Sequence, residues 1–181
     1  MGIDRRLFLT GACCAGAGFA AGMMMPRGGE AAAPVPGADA ALFARERFLS
    51  HWNCTQAVLE ALAPQAGLAP EDITRLTTPF AAGMWNGMTC GAVTGAVMAI
   101  GMRFGRTSDG DGQAAEKTRK KMRRYMAAVK KEFGALDCSA LLGTDMATDE
   151  GMKQAADKGL FKSICPALVE AAVREALKEM A

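Results

Sequence analysis

The fold follows from the stretch CGAVTGAVMAIGMRF, residues 90–104, in which helical spacing and small side chains coincide. Its section 92–102 contains no charged residue, and at about 11 residues it is too short to cross a bilayer, which takes about 20. Gly91, Gly95 and Ala99 recur four residues apart, so they share one helix face and let a neighbouring backbone approach closely. We therefore predict that this segment is the central buried helix of a bundle.

Apolar residues recur at helical spacing in the segments on either side. The chain is rich in Ala, Gly and Met but has only 6% aromatic residues, which favours closely packed helices over a sheet. The sequence shows no internal repeat and no alternating strand pattern. We therefore predict an all-α fold, a compact bundle of about five helices preceded by an N-terminal signal segment. The predicted helices span residues 39–63, 70–79, 90–104, 113–133 and 166–180, with short helical pieces after Asp137 and Thr148.

The N-terminus resembles a targeting signal. Arg5 and Arg6 precede a weakly hydrophobic run, residues 7–25, that is rich in Gly and Ala. This pattern is similar to a twin-arginine signal, which exports proteins that have already folded, and it predicts a periplasmic location. Cys13 and Cys14 follow the arginines too closely to mark a lipoprotein site, so we interpret them as part of the signal.

The signal divides the chain into two parts. We predict that residues 1–33 form the signal and cleavage region and that residues 34–181 form the mature domain. Cleavage after Ala33 or after Ala40 fits the small residues there. Alternatively, the segment stays uncut as a membrane anchor, because its hydrophobic run is close to the spanning length of about 20 residues.

Charge gives little indication of a partner. The formal net charge is +2, so no overall field favours nucleic acid, which we do not expect to bind. The fourth predicted helix carries a basic cluster. One interpretation is a docking patch for an acidic partner or an anionic membrane surface. The simpler interpretation is a solvated helix face. The cluster consists of Lys117, Arg119, Lys120, Lys121, Arg123, Arg124, Lys130 and Lys131.

Four cysteines remain in the predicted mature domain. Cys90, Cys138 and Cys165 lie at predicted helix N-termini, whereas Cys54 lies inside the first predicted helix, one turn after His51. Free backbone N–H groups and the helix dipole at such positions lower the pKa of a thiol. The pattern therefore predicts thiolates, which can serve as redox thiols, nucleophiles or metal ligands.

The spacing of these cysteines leaves several chemistries open. Intervals of 36, 48 and 27 residues match no zinc ribbon, zinc finger or ferredoxin run, in which ligands come in close pairs. The chain has neither a CxxC motif nor the CxxCH motif of covalent haem. A Cys–His catalytic pair would have to use His51, and nothing else supports one. An iron–sulfur cluster, a structural zinc site, two disulfides and a reactive Cys90 exchanging with a partner's disulfide all remain.

The surroundings of the cysteines resemble a known family. The segments NCTQAVLEAL (53–62), CGAVTG (90–95), EFGALDCSALLG (132–143) and CP (165–166) are similar in order and context to the C_GCAxxG_C_C family of redox-active proteins. The resemblance covers residues 45–180. A split-Soret cytochrome has a related helical domain with an iron–sulfur cluster besides its haem.

The resemblance implies a function. Cys54, Cys90, Cys138 and Cys165 would hold a [2Fe–2S] or [4Fe–4S] cluster for electron transfer, without covalent haem. A twin-arginine route suits such a protein, because the cluster would be inserted before export. We therefore expect an exported electron-transfer protein without catalytic residues. The sequence identifies neither its redox partner protein nor its oligomeric state.

The loop before Cys90 adds one further expectation. Gly83 and Gly87 would let the backbone approach a cluster, and Met84, Trp85 and Met88 would shield it from water. Equally, they are ordinary turn glycines and core side chains.

Overall fold

In the computed structural model, which describes residues 37–181, the chain is helical. A short 3₁₀ turn (Thr78–Phe80) and a π-type turn (Gly83–Gly87) follow the helix Pro70–Thr77. Within these residues no β-strand forms, and the only ladder element is an isolated antiparallel bridge between Thr89 and Asp137. The predicted all-α class is therefore confirmed. The helices are α1 (Gly37–His51), α2 (Cys54–Ala66), α3 (Pro70–Thr77), α4 (Gly91–Phe104), α5 (Gly112–Phe133), α6 (Cys138–Leu142), α7 (Asp149–Asp157), α8 (Leu160–Ser163) and α9 (Cys165–Met180).

The five longer helices α1, α2, α4, α5 and α9 make the bundle. Helix α4 packs against α2, α5 and α9, and α1 packs against α2 and α9. This arrangement confirms the predicted bundle with α4 at its centre. None of the helices in the described part of the chain is long and apolar enough to span a bilayer. The predicted signal, residues 1–33, lies outside the described residues.

The small-residue face of α4 brings it against α2. A Cβ atom placed on Gly95 would lie 2.6 Å from the carbonyl oxygen of Thr55, and one placed on Gly91 would overlap the sulfur of Cys54. Ala99, on the same face, is fully buried. The predicted close packing is therefore confirmed, and it sets the start of α4 against the start of α2.

The first predicted helix, residues 39–63, is wrong as a single element. Helix α1 ends at His51, Trp52 adopts a left-handed conformation with φ of 58°, and Asn53 begins a new helix. The Asn53 side chain accepts a hydrogen bond from the backbone N–H of Gln56 at 3.0 Å, which is a typical helix cap. Both helices face the same core, so the apolar spacing continues across the break and conceals it.

The other predicted boundaries agree closely with the structure. Helix α2 continues through Pro64, where we expected it to stop, and ends at Gly67, whose left-handed φ of 70° terminates it. Helix α5 begins after Asp111, which accepts a hydrogen bond from the N–H of Ala114, and ends before left-handed Gly134. Capping residues therefore define these ends better than proline does.

A half-buried ion pair spans the break between α1 and α2. Arg47 of α1 donates from Nε to Oε2 of Glu60 in α2 at 2.6 Å, and Gln56 donates to the other carboxylate oxygen at 2.8 Å. His51 lies 3.7 Å from the same carboxylate. Burial raises the pKa of Glu60, but the hydrogen bonds from Arg47 and Gln56 outweigh it, so the net shift is downward. Burial lowers the pKa of His51 more than Glu60 raises it.

These shifts predict that acid destabilises the protein. The pKa of His51 is lower in the folded state than its ordinary 6.5, so the unfolded state binds the proton first and stability falls as pH drops below about 6.5. Stability from Glu60, whose folded pKa is depressed, is lost at still lower pH. We expect His51→Gln to reduce the slope of the free energy of unfolding against pH just below about pH 6.5. The reduction should be at most about 1.4 kcal/mol per pH unit.

Urea unfolding of the metal-free protein, followed by circular dichroism between pH 5 and 8, measures this dependence. Equal slopes for the wild type and His51→Gln between pH 6.5 and 5.5 would show that another group carries the effect.

Candidate redox site

All four cysteines of the described chain lie at helix starts. Cys54, Cys138 and Cys165 are the first residues of α2, α6 and α9, and Cys90 immediately precedes α4. The structure confirms this position for three of them and corrects the fourth, because Cys54 begins a helix instead of lying inside one. Free N–H groups at helix starts favour thiolates, but the pKa is lowered only for Cys54. The prediction of thiolates is wrong for the other three cysteines, because burial in this apolar site contributes to raising their pKa.

These cysteines also line a single cavity of about 270 Å³. Cys54, Cys90 and Cys138 are buried and Cys165 is half-buried. The cavity lies where the main core, which includes Cys54 and Cys90, meets a smaller apolar cluster that includes Cys138. Among the described residues, the remaining wall is apolar: Phe48, Trp52, Ala81, Ala82, Trp85, Ala92, Leu141, Leu142, Met152, Phe161 and Leu168. Charges inside this cavity would therefore depend on the protein, not on water, for stabilisation.

Two backbone hydrogen bonds hold Cys90 and Cys138 side by side. The N–H of Cys90 donates to the carbonyl of Leu136 at 2.8 Å, and the N–H of Cys138 donates to the carbonyl of Met88 at 2.7 Å. These bonds flank the bridge between Thr89 and Asp137. Cysteines separated by 48 residues in sequence are thus fixed by one short antiparallel contact.

A strained loop closes another part of the cavity wall. Ala82, Met84 and Trp85 have φ of 51°, 60° and 54°, and Gly83 between them has φ of 66°. A left-handed conformation costs a residue other than glycine roughly 1–2 kcal/mol. This loop also brings the N–H of Ala82 to the thiol of Cys54, where it lowers the pKa of that group. Such strain is concentrated at functional sites.

Two thiols of the site, Cys54 and Cys90, affect each other's pKa. A hydrogen bond from Cys90 lowers the pKa of Cys54 to about 7, helped by the N–H groups of Ala82, Cys54 and Thr55 and opposed by burial. The same hydrogen bond and burial raise the pKa of Cys90 well above its ordinary value. In the absence of a bound group, Cys54 is therefore the thiolate and Cys90 the thiol that donates to it.

The other two thiols behave differently. Burial, followed by repulsion from Cys54, raises the pKa of Cys138 to about 12. Burial and repulsion from Cys54 and Cys138 raise the pKa of Cys165 to about 12 as well. Neither becomes a thiolate near neutral pH unless a cation compensates its charge, which is what a metal centre provides.

This contrast predicts selective alkylation. In the reduced, metal-free protein we expect iodoacetamide to modify Cys54 with a midpoint near pH 7, because only thiolates react, while Cys138 and Cys165 stay unmodified below about pH 10. If solvent exposure alone set the order of alkylation, Cys165 would react first, because it is the least buried of the four. Peptide mass spectrometry across a pH series measures the order. Modification of Cys165 before Cys54 at pH 7 contradicts the assignment.

The sulfurs surround a space and do not converge on one point. Among residues 37–181, no group of three or more His, Cys, Asp or Glu side chains is arranged to hold a single metal ion. A tetrahedral zinc ion with Zn–S bonds of about 2.3 Å would need sulfurs about 3.8 Å apart. All four thiols are free.

Part of the site was not predicted from the sequence. Trp52, Met152 and Phe161 had no predicted role in it, but all three line the cavity. Of the three residues expected to shield a cluster, Trp85 lines the cavity, but Met84 and Met88 are exposed. His51 is held beside Glu60 and is not part of the cavity wall.

The basic cluster of α5 is partly neutralised within the chain. Arg119 and Lys120 pair with Glu116, Arg124 pairs with Glu179, and Lys121 lies 4.4 Å from the ring centre of Phe104. The helix does not contribute to the cavity wall. These pairs favour the interpretation of a solvated helix face.

The fold and the site define a small helical protein that gathers four separate cysteines around an apolar cavity. The sequence model of one family, described as "Putative redox-active protein (C_GCAxxG_C_C)", matches residues 52–179. The chain therefore belongs to the C_GCAxxG_C_C family of redox-active proteins. Comparisons with curated proteins and with solved structures gave no significant match.

Proposed function

We propose that the protein transfers electrons through an iron–sulfur cluster held by Cys54, Cys90, Cys138 and Cys165. The observation that supports this most directly is the lining of one cavity of about 270 Å³ by all four cysteines. Four sulfurs around an internal space suit a cluster, whose iron and sulfide atoms occupy volume, better than they suit a single ion. When bound, the cluster would supply reversible one-electron transfer.

The residues of the cavity fit such a group. The N–H groups of Ala82, Cys54 and Thr55 stabilise negative charge on the sulfur of Cys54, and the N–H of Ala92 acts in the same direction on Cys90. Cys138 and Cys165, whose pKa is about 12, would lose their protons to the positive charge of iron. The apolar side chains would limit the access of water, one of the factors that set the potential of a cluster.

Export by the twin-arginine route to the periplasm forms part of the proposal. Cleavage after Ala33 would leave α1 whole, since that helix begins at Gly37. Cleavage after Ala40 would remove its first four residues, and Ala40 is itself fully buried. We therefore favour Ala33, with an uncut membrane anchor as the alternative.

A second candidate function has its own support in the contact between Cys54 and Cys90. The sulfur of Cys54 lies beside Gly91, the residue after Cys90, and each thiol shifts the pKa of the other, so the two are neighbours, as a disulfide requires. Each would give up a proton and together two electrons, and a partner's disulfide would take these up to become two thiols. This dithiol function needs neither Cys138 nor Cys165.

The experiment that tests the first proposal is anaerobic purification of the protein expressed with its native signal. A visible spectrum and analysis of iron, sulfide, zinc and free thiols should show iron and sulfide in equal amounts with broad absorption around 400 nm. A colourless protein without iron or sulfide would overturn the cluster proposal. In that case, zinc would identify a structural site and a missing pair of free thiols would identify the dithiol function.

A further inference from the structure

The opening of the cysteine cavity is formed by tryptophan. The chain has only two tryptophans, and both Trp52 and Trp85 line this cavity. Trp52 is 47% exposed and Trp85 is 58% exposed. A side chain that lines a cavity and is half exposed lies at its mouth, so the two indoles stand between the buried cysteines and solvent.

Both indoles at the mouth belong to residues with a left-handed backbone. Trp52 and Trp85 each adopt a left-handed conformation, with φ of 58° and 54°, at a cost of roughly 1–2 kcal/mol each. Phe48 packs edge-on against Trp52, with ring centres 5.6 Å apart, and fixes its orientation further. The mouth is thus an ordered aromatic surface.

The chemistry of the mouth selects against charge. No residue between positions 76 and 102 is charged, and the described residues that line the cavity are apolar side chains or cysteines. Phosphate-bearing cofactors such as nucleotides are commonly held by cationic side chains, and none of the described residues that line the cavity is cationic. Aromatic walls instead stack on flat, uncharged rings.

We propose that Trp52 and Trp85 bind a small, planar, uncharged aromatic molecule of the quinone class at the mouth of the cavity. The choice of a redox-active ring rests on the proposed electron-transfer function, whereas the choice of a flat, uncharged ring rests on the wall itself. The ligand would lie on the solvent side of the cysteines, in contact with the indoles.

Tryptophan fluorescence tests this proposal directly, because both emitting residues are at the site. The probe is duroquinone, whose fully methylated ring cannot add to thiols. We expect saturable quenching with a dissociation constant on the order of 0.1 mM for a ligand of this size. Anthraquinone disulfonate, a charged quinone, should bind at least about tenfold more weakly, because its desolvated charges would be unpaired.

Variants assign the binding to the mouth. Trp52→Leu and Trp85→Leu should each weaken binding by about 3- to 10-fold through loss of ring stacking, while the remaining tryptophan reports the titration. Trp85→Phe keeps an aromatic ring and should bind within about twofold of the wild type. The matched control is Met102→Ala, which removes an exposed apolar side chain at the far end of α4 and should change nothing.

Titrations on both the purified and the metal-free protein separate this proposal from the cluster. Saturable binding to metal-free protein supports the aromatic site even if iron analysis rejects the cluster. Linear, non-saturating quenching, equal affinity for the sulfonated quinone, or unchanged binding in both leucine variants would overturn it. Circular dichroism shows whether each variant is folded, and if one leucine variant is not, the titration of the other decides the matter.

Discussion

If Cys90 holds the proposed cluster, replacing it with serine is expected to reduce bound iron by more than about tenfold and to remove the visible absorption that the cluster would give. Cys90 is 4% exposed, faces the cavity and is anchored by its N–H to Leu136, so no other side chain can take its place without moving the loop. Changes to groups that only support a metal ligand already cost about 10- to 100-fold in affinity. A hydroxyl is moreover a poor ligand for a centre that prefers soft sulfur.

The matched control for this substitution is Thr89→Ser. Thr89 precedes Cys90 in the same bridge to Asp137, so the control perturbs the same backbone without removing a thiol. Iron and colour should be unchanged in it. Cys90→Ser with full iron and colour would refute the ligand assignment, provided that circular dichroism shows both variants to be folded.

Serine substitutions at the other three cysteines separate the two candidate functions. A cluster requires all four sulfurs, so Cys138→Ser and Cys165→Ser should lose iron as Cys90→Ser does. A dithiol requires only the contacting pair, so Cys138→Ser and Cys165→Ser should leave its exchange with a disulfide intact. The pattern across the four sites therefore identifies the function, whichever single variant is most affected.

The sequence predicted the bundle because helical periodicity and small-residue spacing are local properties. The pattern within α4 alone predicts a buried helix, because it combines an uncharged run with Gly91 and Gly95 on one face. The spacing of apolar residues did not reveal the break at Trp52, because both flanking helices bury their apolar side chains in one core. The sequence nevertheless marks the start of the second helix, because Asn53 followed by Gln56 is a helix-capping pattern.

The site was less accessible to sequence reasoning. Helix starts were predicted correctly for three cysteines, but their meeting at one cavity was implied only by resemblance to a family. Intervals of 36, 48 and 27 residues carry no distance information. The left-handed backbone of Ala82, Met84 and Trp85 is unpredictable, because such residues rarely adopt it and only the finished packing enforces it.

Gly95→Ala is expected to lower the free energy of unfolding by about 1–3 kcal/mol, a large fraction of the stability of a small domain. The added Cβ would lie 2.6 Å from the carbonyl oxygen of Thr55 and 3.2 Å from Cβ of Val58. Backbone atoms of α2 cannot rotate out of the way as a flexible side chain would, so the two helices must separate. The matched control is Gly101→Ala on the same helix, where a Cβ meets no atom within 4 Å. That change should stabilise the protein by about 0.5–1 kcal/mol, since it favours the helix.

Separation of α2 and α4 also affects the site, because Cys54 begins one helix and Cys90 precedes the other. Gly95→Ala should therefore lose iron under conditions in which circular dichroism still shows a folded protein, and Gly101→Ala should not. Urea unfolding and iron analysis on the same preparations measure both effects. Equal stability of the two alanine variants would contradict the close approach of the helices. Full iron in a destabilised Gly95→Ala would instead show that the contact supports the core but does not set the positions of Cys54 and Cys90.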